Sequence, residues 1–232
     1  MIGIVIQLIL SWLLLWIFYK RNLSALGLTP TKERLTNFII FFLITAALCS
    51  TGFLIKIYWG EQHWSLNPEL SGSMIFEGVW WNIKSVLFEE LIFRGALLYI
   101  LIKKMGSSRA IIISSIAFGI YHWFSFGIIG SLIPMTVVFI MTGAMGILLA
   151  YAYWKRLSLY IPIAIHLGWN ITQIFIFSQG PLGKGVFITE GTKKFETGSY
   201  LIFFASTFLP IILVFLINYL LLNRQKQTNI NS

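Results

Sequence analysis

Long apolar stretches separated by short polar connections constrain this chain more than any other feature of its sequence. A helix that crosses a bilayer needs about 20 mainly apolar residues, and seven segments meet that description. Because a bilayer offers no partners to unpaired backbone groups, such segments fold as helices. The sequence therefore predicts an all-α, polytopic transmembrane helix bundle with about seven spans. Their predicted bounds are 2–19, 36–55, 78–101, 110–126, 132–153, 157–178 and 200–222.

The composition agrees with a membrane protein and leaves no room for a separate soluble domain. Of the 232 residues, 57% are hydrophobic and only 11% are charged, whereas roughly a quarter of the residues in soluble domains are charged. We therefore expect residues 1–232 to form a single integral membrane domain surrounded by the lipid bilayer. The net charge of +9 is explained by membrane topology, so no nucleic-acid partner is predicted.

The basic residues are distributed unevenly over the predicted connections. Lys and Arg collect on the cytoplasmic side of membrane proteins. With the N-terminus outside, eleven of the 17 basic residues fall in inner connections or the C-terminal tail, and four fall in outer connections. The sequence therefore predicts an N-terminus outside and a C-terminus in the cytoplasm.

The third predicted span, 78–101, contains ionisable residues that an apolar helix normally lacks. Each such residue costs about 2.5–3.5 kcal/mol at bilayer depth. Glu90 and Arg94 are four residues apart, so they share a helix face and can form an ion pair. Glu89 points about 100° away from Glu90 and has no evident charge partner on its own helix. This isolation makes Glu89 the candidate general base.

Two further spans each contain one histidine. Phe118 precedes His122 by one turn, and His166 precedes Asn170 by one turn. Counted from the inner ends of the spans, Glu89, both histidines and Asn170 lie roughly 14–20 Å deep. A single intramembrane His or Asn can simply join two helices by a hydrogen bond, and a Glu–Arg pair can be purely structural. Together at one depth, these groups predict a shared polar cavity.

This combination of side chains is suited to the hydrolysis of amides. A carboxylate and a histidine can activate a water molecule, and a second histidine with an amide can stabilise the oxyanion that forms. The same set could instead bind zinc through His122, His166 and Glu89, with an open position for water. No Gly-x-Ser-x-Gly motif is present, and Cys49 belongs to a different predicted span. A covalent serine or cysteine mechanism is therefore not predicted.

The polar residues form three motifs along the chain, which are Glu89-Glu90-x-x-x-Arg94, Phe118-x-x-x-His122 and His166-x-x-x-Asn170. Together and in this order, they resemble the CAAX protease and bacteriocin-processing (CPBP, or Abi) family of intramembrane proteases, which is related to the type II CAAX prenyl endopeptidase. The resemblance covers a protease core at about residues 80–180 and implies a cavity open towards the cytoplasmic side.

The resemblance implies a role for each of these residues. Glu89 would be the water-activating base together with His122, and His166 and Asn170 would bind the oxyanion. Glu90, Arg94 and Phe118 would support the site. We expect metal-free chemistry without a cofactor, and zinc remains the alternative.

The resemblance also implies a location and a class of substrate. The compact chain is similar to bacterial members, so we expect a multi-pass protein of the bacterial plasma membrane. Its expected substrates are membrane-associated peptides or proteins, such as bacteriocin precursors or CAAX-like proteins. Two alternatives are a non-catalytic bacteriocin-immunity or regulatory protein with the same fold, and a proton-coupled transporter that uses Glu89 and the histidines as a relay.

Overall fold

The computed structural model describes residues 2–183, 185–189 and 199–228, and this part of the chain is mostly α-helical. A 3₁₀ turn lies at Leu23–Leu26 and a π-helical segment at Ile171–Ile176. Two short strands, β1 (Trp64–Leu66) and β2 (Phe187–Thr189), pair antiparallel. The predicted all-α class is confirmed. The α-helices described are α1 (Ile2–Tyr19), α2 (Lys32–Tyr58), α3 (Gly72–Phe93), α4 (Ala96–Met105), α5 (Ser107–Ser125), α6 (Leu132–Arg156), α7 (Tyr160–Asn170) and α8 (Tyr200–Arg224).

Four of the described helices, α1, α2, α6 and α8, are long and apolar enough to cross a membrane. Their outward faces carry large apolar side chains, such as Ile17, Ile39 and Leu201, that remain exposed. Such extensive apolar surface is stable in lipid rather than in water, so the chain is an integral, multi-pass membrane protein. The count of seven spans and the orientation of the termini stay predictions.

The continuous helix expected over residues 78–101 is wrong, because the segment breaks into α3 and α4. Arg94 leaves the helical conformation, with φ −122° and ψ 4°. A Cβ atom on Gly95 would lie 2.2 Å from the carbonyl oxygen of Leu91, so only glycine fits this corner. Apolar periodicity continues through the break, and it therefore gives no sign that the chain changes direction.

The predicted span at 157–178 also has internal structure. A turn at Leu157–Leu159 is attached to the 3₁₀ segment, since the Leu159 N–H donates to the Leu26 carbonyl and Ser158 Oγ donates to that of Gly27. Most of α7 is buried. A Cβ atom on Gly168 would lie 2.7 Å from the carbonyl oxygen of Phe42, so glycine lets α7 approach α2 closely. The helix then changes to π geometry directly after Asn170.

The helix α6 contacts two elements that carry predicted site residues, namely α5 and the end of α3. A Cβ atom on Gly146 would lie 3.1 Å from Ser115 Cα, so α5 and α6 are in close contact. Arg94 Nη2 donates to the Gly146 carbonyl oxygen at 3.5 Å. The end of α3 is therefore held against the α5–α6 pair.

Candidate active site

The residues singled out from sequence converge from three helices. Glu89 and Glu90 lie near the end of α3, His122 lies in the last turn of α5, and His166 lies one turn before the end of α7. Each is buried, with between 0 and 9% of its surface exposed. Each therefore lies close to the point at which its helix ends or changes geometry.

Glu90 connects two elements of the site. Its Oε1 accepts a hydrogen bond from Arg94 Nη1 at 3.0 Å and another from His166 Nδ1 at 2.7 Å. Glu90 and Arg94 are both completely buried, and a buried charge is tolerated when it is paired and hydrogen-bonded. The sequence spacing predicted the contact with Arg94 but not the one with His166.

Phe118 holds both Arg94 and His122. The Arg94 guanidinium lies 4.1 Å from the centre of the Phe118 ring, which is a cation–π geometry. His122 Nδ1 donates to the Phe118 carbonyl oxygen at 2.8 Å. The Phe118 ring also packs edge-on against His122 and His166, with centroids 4.5 and 5.8 Å apart. Phe118 therefore forms one wall of the site.

Glu89 lies between the two histidines. Its Oε2 is 3.8 Å from His122 Nε2 and 3.8 Å from His166 Nε2. This oxygen is buried and has no hydrogen-bond partner in the described part of the chain. Its other oxygen, Oε1, accepts a hydrogen bond from Ser85 Oγ at 3.5 Å. One carboxylate and two imidazoles thus meet around one point.

Asn170 belongs to a cavity of about 220 Å³ that also contains both histidines. We call it the histidine cavity. Its other walls are largely apolar, so it is suited to an apolar peptide segment. It is lined by Phe118, His122, Phe126, Val138, Met141, Thr142, Met145, His166, Trp169, Asn170, Gln173 and Ile211.

Glu89 lines a different cavity from His122, His166 and Asn170, so the prediction of one cavity shared by all four residues is wrong. This second cavity has a volume of about 400 Å³ and lies between the start of α1, the face of α3 and Tyr121 of α5. We call it the Lys84 cavity. Glu89 separates the two spaces, because its Oε2 faces the histidines while its side chain lines the other side. The lining consists of Gly3, Ile4, Trp81, Lys84, Ser85, Phe88, Glu89 and Tyr121.

The described residues contain no group of three or more His, Cys, Asp or Glu side chains arranged to hold a metal ion. His122, His166 and Glu89 approach one another, but zinc requires three such atoms at about 2.0–2.2 Å from one centre. The zinc set of His122, His166 and Glu89 therefore stays a prediction.

Sequence reasoning missed Ser85, Tyr121 and the link between Glu90 and His166. Ser85 could have been found, since it precedes Glu89 by four residues and so shares its helix face. Tyr121 gave no signal, because an aromatic residue in an apolar span is usual. The Glu90–His166 bond joins residues far apart in sequence and depends on how α3 packs against α7.

Comparison with known proteins gives a match to a protein family. A family model described as type II CAAX prenyl endopeptidase Rce1-like matches residues 71–172. The matched segment contains all seven residues of the three motifs. No curated protein and no solved structure matches the chain.

Proposed function

Because the chain carries a domain of the type II CAAX prenyl endopeptidase Rce1-like family at residues 71–172, we propose that it is an intramembrane endopeptidase that hydrolyses a peptide bond with an activated water molecule. Glu89 is the general base in this proposal, His122 assists it, and His166 with Asn170 stabilises the oxyanion. Glu90, Arg94 and Phe118 hold these groups in place.

One observation carries the proposal more than any other, namely the position of Glu89 Oε2 at 3.8 Å from both His122 Nε2 and His166 Nε2. A separation of 3.8 Å is too long for a direct hydrogen bond. It does allow a water molecule to contact both the carboxylate and an imidazole at normal hydrogen-bond length. A general base must reach its proton at such a distance or through one water.

The hydrogen bonds on the other side of each ring support these roles. A carbonyl oxygen only accepts hydrogen bonds, so His122 Nδ1 carries the proton that bonds to Phe118. His122 Nε2 is then free to accept a hydrogen bond from water. Glu90, paired with Arg94, accepts the Nδ1 proton of His166. Glu90 can therefore act as a counter-ion when His166 is protonated and donates through Nε2.

The reaction then proceeds in two steps. The water oxygen attacks the carbonyl carbon of the scissile peptide bond while Glu89 takes the water proton. The resulting oxyanion accepts hydrogen bonds from Asn170 and from protonated His166. When the carbon–nitrogen bond breaks, Glu89 gives its proton to the departing nitrogen, so the products are a carboxylic acid and an amine. The acid then passes its proton to the amine, which leaves a carboxylate and an ammonium group.

The histidine cavity indicates the class of substrate. It is lined mainly by aromatic and aliphatic side chains such as Phe126, Met141 and Trp169, so it favours an apolar peptide segment. We propose membrane-associated peptides or proteins as substrates, among them bacteriocin precursors and CAAX-like proteins. The bacterial plasma membrane is the proposed location.

The proposal is tested with purified protein in liposomes and a library of membrane-associated peptides analysed by mass spectrometry. Glu89→Gln should reduce kcat by roughly 10²–10⁴-fold, the usual contribution of a general base. The matched control is Glu77→Gln, the same change on the same helix at an exposed position, which should leave cleavage unchanged.

Histidine variants complete the test. His122→Ala and His166→Ala should both abolish cleavage, whereas His63→Ala, at an exposed position before β1, should not. Full activity in Glu89→Gln and both histidine variants would refute the proposal. Proton flux without cleavage of any peptide would favour the transporter.

A further inference from the structure

The two sides of Glu89 face different spaces. On one side Oε2 faces the imidazoles of His122 and His166, which line the mainly apolar histidine cavity. On the other side the carboxylate lines the Lys84 cavity and accepts a hydrogen bond from Ser85 Oγ. The base is therefore in reach of two separate spaces.

The Lys84 cavity has several polar groups among apolar walls. Lys84, Ser85, Glu89 and Tyr121 place one cation, one carboxylate and two hydroxyl groups around it. A charged side chain in lipid costs about 2.5–3.5 kcal/mol, and water in the cavity removes that cost. At roughly 30 Å³ per water molecule, a volume of about 400 Å³ holds on the order of ten waters.

An apolar peptide in the histidine cavity would exclude water from that side. Hydrolysis nevertheless consumes one water molecule for every bond that is broken. A second path that reaches Glu89 without crossing the substrate would resolve this conflict.

We propose that the Lys84 cavity is filled with water and supplies the hydrolytic water to Glu89 from the side opposite the peptide. Lys84 keeps the cavity hydrated, and Ser85 orients the Glu89 carboxylate between the two spaces. The delivery of water rests on the proposed function, whereas the hydration of the cavity does not depend on any activity.

Hydration is tested by single-cysteine labelling. Cys49 is the only cysteine in the chain, so Cys49→Ala provides a cysteine-free background. In this background, Tyr121→Cys and Ser85→Cys, which both retain Lys84, are reacted in proteoliposomes with a charged methanethiosulfonate that does not enter lipid. The matched control is Ile120→Cys, the neighbour of Tyr121 on the exposed surface of α5.

Only a thiolate reacts with this reagent, and a thiolate forms in water. Labelling at positions 85 and 121 should therefore be at least about tenfold faster than at position 120. Equal, slow labelling at all three positions would overturn the proposal even if the protein cleaves peptides.

The supply of water is tested by kinetics. Lys84→Leu should lower kcat by about tenfold at unchanged KM, because less water reaches Glu89 while peptide binding is intact. Lys84→Arg keeps the charge and should restore kcat. Wild-type kcat in Lys84→Leu, or a change confined to KM, would overturn the proposed water route. Fast labelling in a protein that cleaves nothing would instead refute the proposed protease function.

Discussion

Glu90 is the residue whose role changes most between sequence and structure. Helix spacing predicts a pair with Arg94, and that pair is present with an oxygen–nitrogen distance of 3.0 Å. The same oxygen also accepts from His166 Nδ1. Glu90 is therefore both the counter-ion of a buried arginine and a positioning residue for an imidazole.

Replacement of Glu90 should affect folding and chemistry together. Glu90→Gln leaves the fully buried Arg94 without an anionic partner, which typically costs about 3–5 kcal/mol. We expect a lower thermal unfolding temperature in detergent and a lower yield. The remaining folded protein should have reduced kcat, because His166 loses its anionic partner. Glu77→Gln is the control. Normal stability together with complete loss of cleavage would show that Glu90, rather than Glu89, is the base.

The proposed chemistry also predicts independence from metal. Cleavage by the purified protein should be unchanged after treatment with a strong chelator, and bound zinc should be far below one ion per chain. A known zinc peptidase, assayed in the same detergent, serves as the control for chelation. Stoichiometric zinc that is lost together with activity would favour the alternative in which His122, His166 and Glu89 bind the metal.

Sequence reasoning predicts a site residue where the prediction depends only on the chemistry of that residue and its near neighbours in the chain. It identifies Glu89, His122 and His166 because ionisable groups are costly in lipid, and the structure brings these three together. It does not separate the two cavities. Which side of Glu89 faces which space depends on the packing of α1 and α5 against α3, and no spacing along one helix encodes that packing.

At the scale of elements, the corner between α3 and α4 positions the acidic pair. The corner lets Arg94 point back to Glu90 and reach the Gly146 carbonyl oxygen of α6. Hydrophobicity predicted a single span here because both helices are apolar. The signal for the break is Gly95, but glycine is also common inside transmembrane helices, so the sequence alone does not distinguish the two cases.

The corner can be tested with a single methyl group. Gly95→Ala would place Cβ 2.2 Å from the Leu91 carbonyl oxygen, so the backbone must shift at a cost of about 1–3 kcal/mol. We expect lower thermal stability and lower kcat, because Glu89 and Glu90 move with the end of α3. Gly72→Ala, where a Cβ atom meets nothing within 4 Å, is the control. Unchanged stability and activity in Gly95→Ala would contradict this role for the corner.

At the scale of the whole molecule, the helices most compatible with lipid pack against the helices that carry the proposed catalytic residues. The four clearest candidates for spans are α1, α2, α6 and α8, whereas Glu89, His122 and His166 lie on α3, α5 and α7. Polar residues make α3, α5 and α7 less apolar than a typical span, and α7 is also short. The same residues that indicate the site therefore weaken the hydrophobic signal of the helices on which they lie.

The orientation of the bundle decides from which side the site is reached. His122 lies three residues before the end of α5, or about 4.5 Å at 1.5 Å per residue, so the site is near the connection between α5 and α6. The distribution of basic residues predicts that this connection lies outside, whereas the family resemblance implies a cavity open to the cytoplasm. We expect the orientation predicted by the charge distribution to be the correct one.

Labelling of the two ends of α5 tests this orientation. In the Cys49→Ala background, Ser131→Cys should react with an impermeant maleimide in intact cells, and Ser108→Cys, at the opposite end of α5, should react only after permeabilisation. Both positions are exposed, so either can react once the reagent reaches it. The reverse pattern would invert the topology and open the site to the cytoplasm, and reaction of both in intact cells would show that α5 does not cross the membrane.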